Sequence, residues 1–447
     1  MLQRKVKTVV LSSMLSLFVP GLCAGTLAQD TLRITLDQAL DIALSENLTI
    51  KVADREITKQ GYARKGTYAS LFPQIDFTGS YQRTIEKQTM YMDVEGMSGG
   101  LKVGRDNLYS TGFTASMPLI SVPLWKSLRI SGHDVEMSVE KARSSRIEMI
   151  DQVQQAFYGV LLARDAYTVF KQAYDNAVFN FTEIERKYEQ GLLAEYDLIR
   201  ANVNVKNAEP NMYDAENTLI LAHWNLKALI GLDLEMEVEC VGSLSEYENT
   251  ILPDYLRTTM SLEGNSDLRQ LDLQHKQLKT LEQMQKAQYY PSLALQFSYM
   301  WNSMNNDFKF KDYKWDPYSV LGVSLTIPIF SGGKRYSDVK QTQVSILQLK
   351  DQRLNTERQL NVAAKQYRDQ MSTCIKQYQA ASAGVEQAEK SYAITMKRYE
   401  TGEGTMLEIN DAQLSLTQSQ LNLNQSIYNY LVAKSALEKT MGTAVQN

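Results

Sequence analysis

The chain has 447 residues, 22% of them charged, and a formal net charge of −4. This mildly acidic, mixed composition argues against nucleic acid as a partner, since binding to phosphates needs a basic surface. The cysteines are too few for a disulfide framework, which leaves Cys240 and Cys374 as expected free thiols. The three histidines lie far apart without metal-ligand spacing, so we expect no metal site and no cofactor.

The N-terminus has the pattern of a secretory signal peptide over residues 1–28. Basic residues come first, an apolar run follows, and small residues end the segment. We expect cleavage after Ala28, with Ala24 as second choice. Cys23 leaves acylation as an alternative, which is disfavoured because Leu22 is larger than the small residue that lipoprotein signals place before the cysteine. The chain is therefore predicted to be exported.

One segment of the chain occurs twice. Residues Tyr188–Gly231 recur without a gap as Tyr399–Gly442, 211 residues later. Such a repeat indicates one structural unit used twice, here as residues 29–242 and 243–447, which we expect to interlock as one domain. The repeat favours a pseudo-symmetric assembly over a single asymmetric catalytic cleft. Each copy is predicted as helix, strand, strand, long helix, turn, long helix.

The first helix of copy one is predicted over residues 36–68, because apolar residues recur there at helical spacing. Its counterpart in copy two runs from about 252 to 289 and is broken at Gly264. A proline follows each helix, at Pro73 and Pro291, and marks the change from helix to strand.

Two strands are predicted in each copy. Their approximate bounds are 74–82 and 111–118 in copy one, and 292–301 and 320–328 in copy two. Apolar and polar residues alternate along each strand, which produces a sheet with one apolar and one polar face. A soluble, half-buried sheet is the commoner cause of this pattern and stays one of two interpretations.

The second interpretation is the wall of an outer membrane barrel, and the loops favour it. The loops at one end of the strands are long, about 83–110 and 302–319. Aromatic residues form a rim near the same end: Tyr299, Trp301, Trp315 and Tyr318. Outer membrane barrels have both features.

The long helices carry a sustained seven-residue repeat. Residues Lys334–Glu400 contain no proline and would form a rod on the order of 100 Å. Large residues recur there every seven positions: Met371, Tyr378, Val385, Tyr392 and Tyr399. This period predicts coiled-coil packing. An ordinary helical bundle would explain the heptads equally well, but it would not explain why both copies attach such rods to strand pairs.

The order of these motifs resembles the TolC-type outer membrane efflux proteins over nearly the whole predicted mature chain. The strongest similarities are the runs Arg186–Leu192 with Asp197 and Arg398–Gly402 with Asp411–Gln413. The Pro-Ile-Phe-Ser-Gly-Gly run over Pro328–Gly333 is equally similar to the family. No single motif is sufficient, but together in this order they are specific.

The resemblance implies a mainly α-helical chain with a β-barrel part. Three copies would close a twelve-stranded barrel in the outer membrane, continued through the periplasm by a coiled-coil tunnel of helices. Such a homotrimer would be a passive exit duct that works with a periplasmic adaptor and an inner-membrane transporter. The exported substrate is not specified by the sequence.

The resemblance also implies a constriction at the periplasmic end. Glu408 and Asp411 lie three residues apart, hence on one helix face, and match the acidic positions that line the narrow point of these channels. Rings of carboxylates in a pore favour cations. The alternative is a solvated helix start, where acids are common. Asp197 and Tyr399 match polar members of the closing contacts.

This chain departs from the family pattern at Gly404. Some relatives have an arginine there that helps to hold the constriction closed. Either Arg200 or Arg398 is a candidate replacement, and the sequence does not distinguish between them. The two helix turns, with Gly191 and Leu192 in copy one and Gly402 and Gly404 in copy two, match the tips that dock the adaptor. The alternative is that these glycines only end a helix.

Two other classes of function were compared with the channel. Phosphate-loop and nucleophile-elbow motifs do not occur in the sequence, so no enzyme is expected. A periplasmic coiled-coil scaffold or adaptor without a membrane barrel is the second alternative. It would account for the rods but would leave the alternating strands without a role.

Overall fold

A computed structural model describes residues 32–94, 97–251 and 260–443. The predicted signal peptide, residues 1–28, lies outside these ranges, as does the predicted start of the copy-two helix near Leu252. Among the described residues, no helix is both long enough and apolar enough to cross a membrane.

The first helical region consists of two helices, α1 (Leu36–Glu46) and α2 (Leu48–Ala69). The prediction of one continuous helix over 36–68 was therefore wrong. Asn47 separates the two helices: its side chain accepts the Thr49 N–H (2.7 Å) and donates to the Leu229 carbonyl (2.7 Å). Asparagine is a favourable N-cap, and here its amide also reaches the end of a distant helix.

Copy two repeats this joint. Helix α5 (Ser266–Ala287) begins after Asn265, whose side chain accepts the Leu268 N–H (3.1 Å) and donates to the Thr440 carbonyl (2.9 Å). Leu229 and Thr440 are equivalent positions in the repeat. The same asparagine contact therefore ties α2 in copy one and α5 in copy two, the helices that precede the strands, to the end of the last helix of their copy.

Four antiparallel strands form the main sheet, in the order β2–β5–β7–β8. Their bounds are Gln74–Arg83, Asn107–Ile120, Ser292–Asn305 and Asp316–Thr326. Two three-residue strands, β1 (Leu32–Ile34) and β6 (Val238–Cys240), pair in parallel beside the helices. Strands β3 (Gln88–Val94) and β4 (Met97–Val103) pair as a hairpin. The region expected to be a long loop, 83–110, thus contains regular structure.

The register places the apolar residues of all four strands on one face. Phe77 pairs with Phe113, Phe113 with Tyr299, and Leu295 with Val323. Polar residues such as Gln296 alternate with them and occupy the other face. In the single chain much of the apolar face is open to solvent, as at Phe77 and Val323, whereas Phe310 and Tyr313 pack on Tyr109 at one end of it.

Four long helices form the rest of the molecule. They are α3 (Val122–Glu189), α4 (Glu195–Ile230), α6 (Lys334–Glu400) and α7 (Met406–Met441). The predicted rod Lys334–Glu400 is confirmed at both ends. Contacts place the helices in the order α4–α3–α7–α6, with α2 and α5 packed on α3 nearer the sheet.

The main core lies where α3, α6 and α7 meet the short helix α1. Phe157, Met371 and Tyr430 are fully buried there. Asp151 is also buried, and its carboxylate accepts from Ser435 Oγ (2.6 Å) and lies 3.2 Å from Lys439 Nζ. A buried charge requires such partners. Cys240 and Cys374 are buried free thiols; burial raises the pKa of Cys240 to about 12.

Candidate functional site at the helix turns

Two turns connect the long helices, and glycine ends the helix before each of them. In the copy-one turn (residues 190–194), Gly191 has φ +75° and its N–H donates to the Tyr188 carbonyl (2.8 Å). In the copy-two turn (residues 401–405), Gly402 has φ +81° and donates to the Tyr399 carbonyl (3.0 Å). Positive φ favours glycine. A Cβ at either glycine would meet no atom within 4 Å, so both turns are open to the surroundings.

Leu192 lies in the copy-one turn with 68% of its surface exposed. Its N–H donates to the Lys187 carbonyl (2.9 Å), which fixes the turn while the side chain points away from the helix pair. Single exposed apolar residues are common on protein surfaces, so this exposure shows that Leu192 is accessible but does not by itself identify a partner.

Gly404 has a steric reason to be glycine. A Cβ there would lie 3.0 Å from the Tyr399 nitrogen and 3.3 Å from Glu408 Oε2. The Gly404 N–H also donates to the Arg398 carbonyl (3.0 Å). The backbone is therefore packed against the end of α6, and an arginine at 404 does not fit this turn without moving it.

Glu408 takes part in a capping box at the start of α7. Its carboxylate accepts the Thr405 N–H (3.1 Å), and the Thr405 hydroxyl accepts the Glu408 N–H (3.4 Å). The Arg398 guanidinium lies 3.7 Å from the same carboxylate and donates to the Glu403 carbonyl (3.2 Å). Glu408 thus caps the start of α7 and at the same time pairs with Arg398.

Asp411 lies one turn further along α7 and is exposed. It lines a cleft of about 400 Å³ between α3, α4 and α7, together with Arg200. Asn204 and Asn410 line the same cleft, and their amide nitrogens are buried without a hydrogen-bond partner in the structure. The two candidate arginines therefore lie near different carboxylates. Arg398 is beside Glu408, whereas Arg200 is in the cleft that Asp411 lines.

Tyr399 connects the two helix hairpins. It packs against the small core formed by Ile184, Ala201, Met406 and Ile409, and Lys187 Nζ lies 5.1 Å from its ring centre. Burial raises the pKa of the Tyr399 hydroxyl, and the nearby negative charge of Asp197 raises that pKa further. Tyr399 and Asp197, from opposite hairpins, are thus electrostatic neighbours.

The sequence analysis missed the role of Thr405, although Thr-x-x-Glu before an apolar run is a readable signal. Copy one has Ala194 at the equivalent position, and no side chain caps α4 there. The two turns therefore differ in how firmly their second helix begins. Among the described residues, no three His, Cys, Asp or Glu side chains group as metal ligands.

The profile of the family described as "Outer membrane efflux protein" matches residues 39–232 and 259–443, one match for each copy. The outer membrane protein TolC of Vibrio cholerae is 20% identical over 390 residues, covering 84% of this chain and 83% of that protein. The alkaline protease secretion protein AprF of Pseudomonas aeruginosa is 22% identical over 418 residues, covering 92% and 85%.

Solved structures share the fold. The CmeC outer membrane channel of Campylobacter jejuni superposes with a TM-score of 0.71 at 20% identity, over 92% of this chain and 86% of that one. The fold places the helix turns far from the sheet, at the opposite end of the long helices. Because the family profile covers both copies, the chain belongs to the outer membrane efflux protein family, the TolC-type channels of tripartite efflux and secretion systems.

Proposed function

We propose that three copies of this chain form the outer membrane exit duct of a tripartite system, coupled to a periplasmic adaptor and an inner-membrane transporter. The observation that carries the proposal is that every layer of the single chain ends on two open edges. The sheet ends on β2 and β8, whose outer backbone groups have no strand partner in the described chain. Closing a sheet into a barrel removes such edges.

The helical layer has open edges on the same two sides. Helix α4 carries an exposed apolar stripe at helical spacing: Tyr196, Ile199, Val203, Tyr213, Ile220 and Trp224. Helix α6 carries another: Tyr336, Val344, Leu347, Leu354 and Val362. Two different edges on one chain can form a head-to-tail contact between copies, which closes into a ring when the rotation allows. Four strands per copy would then give twelve in the trimer.

The exposed area of the chain agrees with an assembly. The single chain exposes 30066 Å², whereas a compact monomer of 50.7 kDa exposes roughly 17,000 Å². Elongated helices and a one-layer sheet bury little of their surface when the chain is alone.

We assign the periplasmic constriction to Glu408 and Asp411 of α7, with Asp197 and Tyr399 as contacts between the hairpins. The proximity of Asp197 to Tyr399 and the Arg398–Glu408 pair support this assignment. Arg398 takes the place of the arginine that Gly404 excludes. We assign adaptor docking to the open turns at Gly191, Leu192, Gly402 and Gly404, at the end of the rods away from the sheet.

Outer membrane fractionation with semi-native electrophoresis tests the proposal. We expect the processed chain in the outer membrane, as a band of three times the monomer mass that separates only on heating. A monomer in the soluble periplasmic fraction would contradict it and would favour a scaffold protein without a barrel.

A further inference from the structure

All four main strands meet their helices at the same end of the sheet. β2 follows α2, β5 leads into α3, β7 follows α5, and β8 leads towards α6. This end of the sheet marks the periplasmic surface of the membrane, because the long helices continue from it.

The residues at these junctions are strongly basic, although the whole chain is acidic. The segments 60–73, 117–130, 283–291 and 327–340 together contain eight basic residues and one acidic residue, Asp338. The basic residues are Arg64, Lys65, Lys126, Arg129, Lys286, Lys334, Arg335 and Lys340. We refer to this set as the basic collar. Clusters of Lys and Arg beside a membrane attract anionic lipid headgroups.

One part of the basic collar contains a cleft. It has a volume of about 490 Å³ and is lined mainly by Gly61, Arg64, Lys65, Tyr68, Phe72 and Val135, with no carboxylate in its lining. The Arg64 guanidinium lies 5.7 Å from the Tyr68 ring centre, and Lys65 Nζ lies 4.9 Å from the Tyr62 ring centre. Cations held over aromatic rings beside an apolar cleft provide a site with one charged and one apolar part.

The apolar cleft is distinct from a polar cleft that also involves α2. Glu56 and Gln60 of α2 line a different, polar cleft, which they share with residues of α3, α5 and α6. At 100° per residue, Gly61 and Lys65 lie about 120° and 160° around α2 from the midpoint of these two residues, whereas Arg64 lies about 60° from it. The apolar cleft therefore opens mainly on a different side of α2 from the polar cleft.

Exposed apolar residues follow the cleft along the chain into β2. Phe72, which lines the cleft, has 65% of its surface exposed. Ile75 and Phe77 of β2 follow in the sequence and have similar exposed fractions, 69% and 64%. A molecule with a phosphate at Arg64 and Lys65 would therefore find a continuous apolar path along β2 for its hydrocarbon part.

From the cleft, its cations and this path, we propose that the chain binds an anionic phospholipid of the periplasmic leaflet between α2 and α3. The phosphate lies against Arg64 and Lys65, and an acyl chain follows Phe72 towards β2. The other residues of the basic collar add a longer-range electrostatic attraction for anionic headgroups. This proposal rests on the outer membrane placement of the sheet.

Copy two has related contacts but a different use for them. Arg335 lies 4.8 Å from the Tyr289 ring centre, but it is buried and donates to Ser331 Oγ (2.9 Å) and the Pro328 carbonyl (3.1 Å). Its guanidinium therefore holds the start of α6 to the strand and is not free for a headgroup. The specific site is confined to copy one, and the trimer would hold three.

Native mass spectrometry of the detergent-purified trimer, titrated with phosphatidylglycerol or phosphatidylcholine, tests the proposal. We expect up to three phosphatidylglycerol adducts per trimer, in preference to phosphatidylcholine. Arg64→Gln with Lys65→Gln should weaken phosphatidylglycerol binding about tenfold or more, since each basic residue near a lipid surface contributes measurably. Lys171→Gln with Lys376→Gln, the same charge change on the exposed rods, should leave binding unchanged.

A second variant tests the cleft itself. A Cβ at Gly61 meets no atom within 4 Å, so Gly61→Leu should fold and fill the cleft, and phosphatidylglycerol binding should fall with the cations intact. Equal binding of both lipids, an equal loss in the Lys171/Lys376 control, or full binding by Gly61→Leu would each overturn the proposal. Loss of the trimer in Gly61→Leu would show that a neighbouring copy covers the cleft, which also overturns it. Channel conductance in phosphatidylcholine bilayers reports separately on the proposed duct.

Discussion

Glu408 combines two roles that substitutions can separate. Its carboxylate accepts a hydrogen bond from the Thr405 N–H, and its charge faces Arg398. Glutamine preserves the capping box but removes the charge, whereas alanine removes both and costs the helix start about 1 kcal/mol.

We expect Glu408→Gln together with Asp411→Asn to reduce cation preference and to weaken block by multivalent cations from the periplasmic side, with the trimer intact. The reason is that carboxylates at a narrow pore set its selectivity. Planar-bilayer recordings measure both properties. As a control, Glu400→Gln changes an exposed acid that pairs only with Lys397 and should leave selectivity unchanged. Unchanged selectivity in the double variant would place both acids on an outer, solvated face.

Tyr399 offers a pH-dependent test of the hairpin contact. Burial and the charge of Asp197 both raise its pKa. The folded turn therefore favours the neutral phenol of Tyr399. The stability that this preference adds to the folded state is present below pH ~10 and is lost as the pH rises through the raised pKa. We expect Asp197→Asn to lower the pKa of Tyr399. The tyrosinate absorbance difference between each protein and its Tyr399→Phe variant measures this, and no shift would show that the Asp197 charge does not reach Tyr399.

At the scale of elements, the strands make the clearest prediction. Leu295 and Val323 pair across β7 and β8 on the apolar face, and Gln296 lies on the opposite face. An arginine on the lipid face costs roughly 2–4 kcal/mol near the bilayer midplane, whereas a lumen position tolerates it. We expect Leu295→Arg and Val323→Arg to lower the yield of folded trimer in the outer membrane, and Gln296→Arg to be tolerated. Equal tolerance at all three positions would contradict the assignment of the lipid face.

The copy-two turn is the second element that can be tested. Gly402→Trp places a large side chain into open space at a residue with positive φ, so the strain is about 1–2 kcal/mol and stays local. We expect export to be lost while the heat-resistant trimer persists, because the tryptophan blocks the docking surface. Gly384→Trp is the control. A Cβ at Gly384 also meets no atom within 4 Å, but Gly384 lies in the middle of α6, away from the turn. Loss of the trimer itself in Gly402→Trp would show that the glycine only ends the helix.

For the whole molecule, the apolar stripe of α4 makes the trimer testable. Ile199 is exposed in the single chain, and a neighbouring copy would bury it. Because an unpaired carboxylate is costly to bury, we expect Ile199→Asp to remove most of the heat-resistant trimer. Asn211→Asp introduces the same charge on α4 away from the stripe and should leave the trimer intact. A normal trimer in Ile199→Asp would exclude this stripe from the subunit contact.

Several features of the fold could be read from periodicity alone. The rod Lys334–Glu400 was predicted with its true ends, because a proline-free heptad pattern and a following glycine are local signals. The alternation along the strands placed Leu295 and Gln296 on opposite faces for the same reason. The repeat predicted two copies of one arrangement, and the family profile matches each copy. The boundary between them at residues 242 and 243 stays a prediction.

The tertiary structure decided what depends on distant partners. Asn47 divides the first helix with support from the Leu229 carbonyl, 182 residues away in the chain. The placement of Arg398 beside Glu408, and of Arg200 in the cleft with Asp411, became visible only when the long helices were packed together. The sequence showed Gly404 only as a missing arginine, whereas the structure shows that a Cβ there would lie 3.0 Å from the Tyr399 nitrogen, so a side chain would require the turn to shift. Sequence periodicity thus determined the elements and their faces, because it reports local geometry, whereas contacts between residues far apart in the chain required the packed structure.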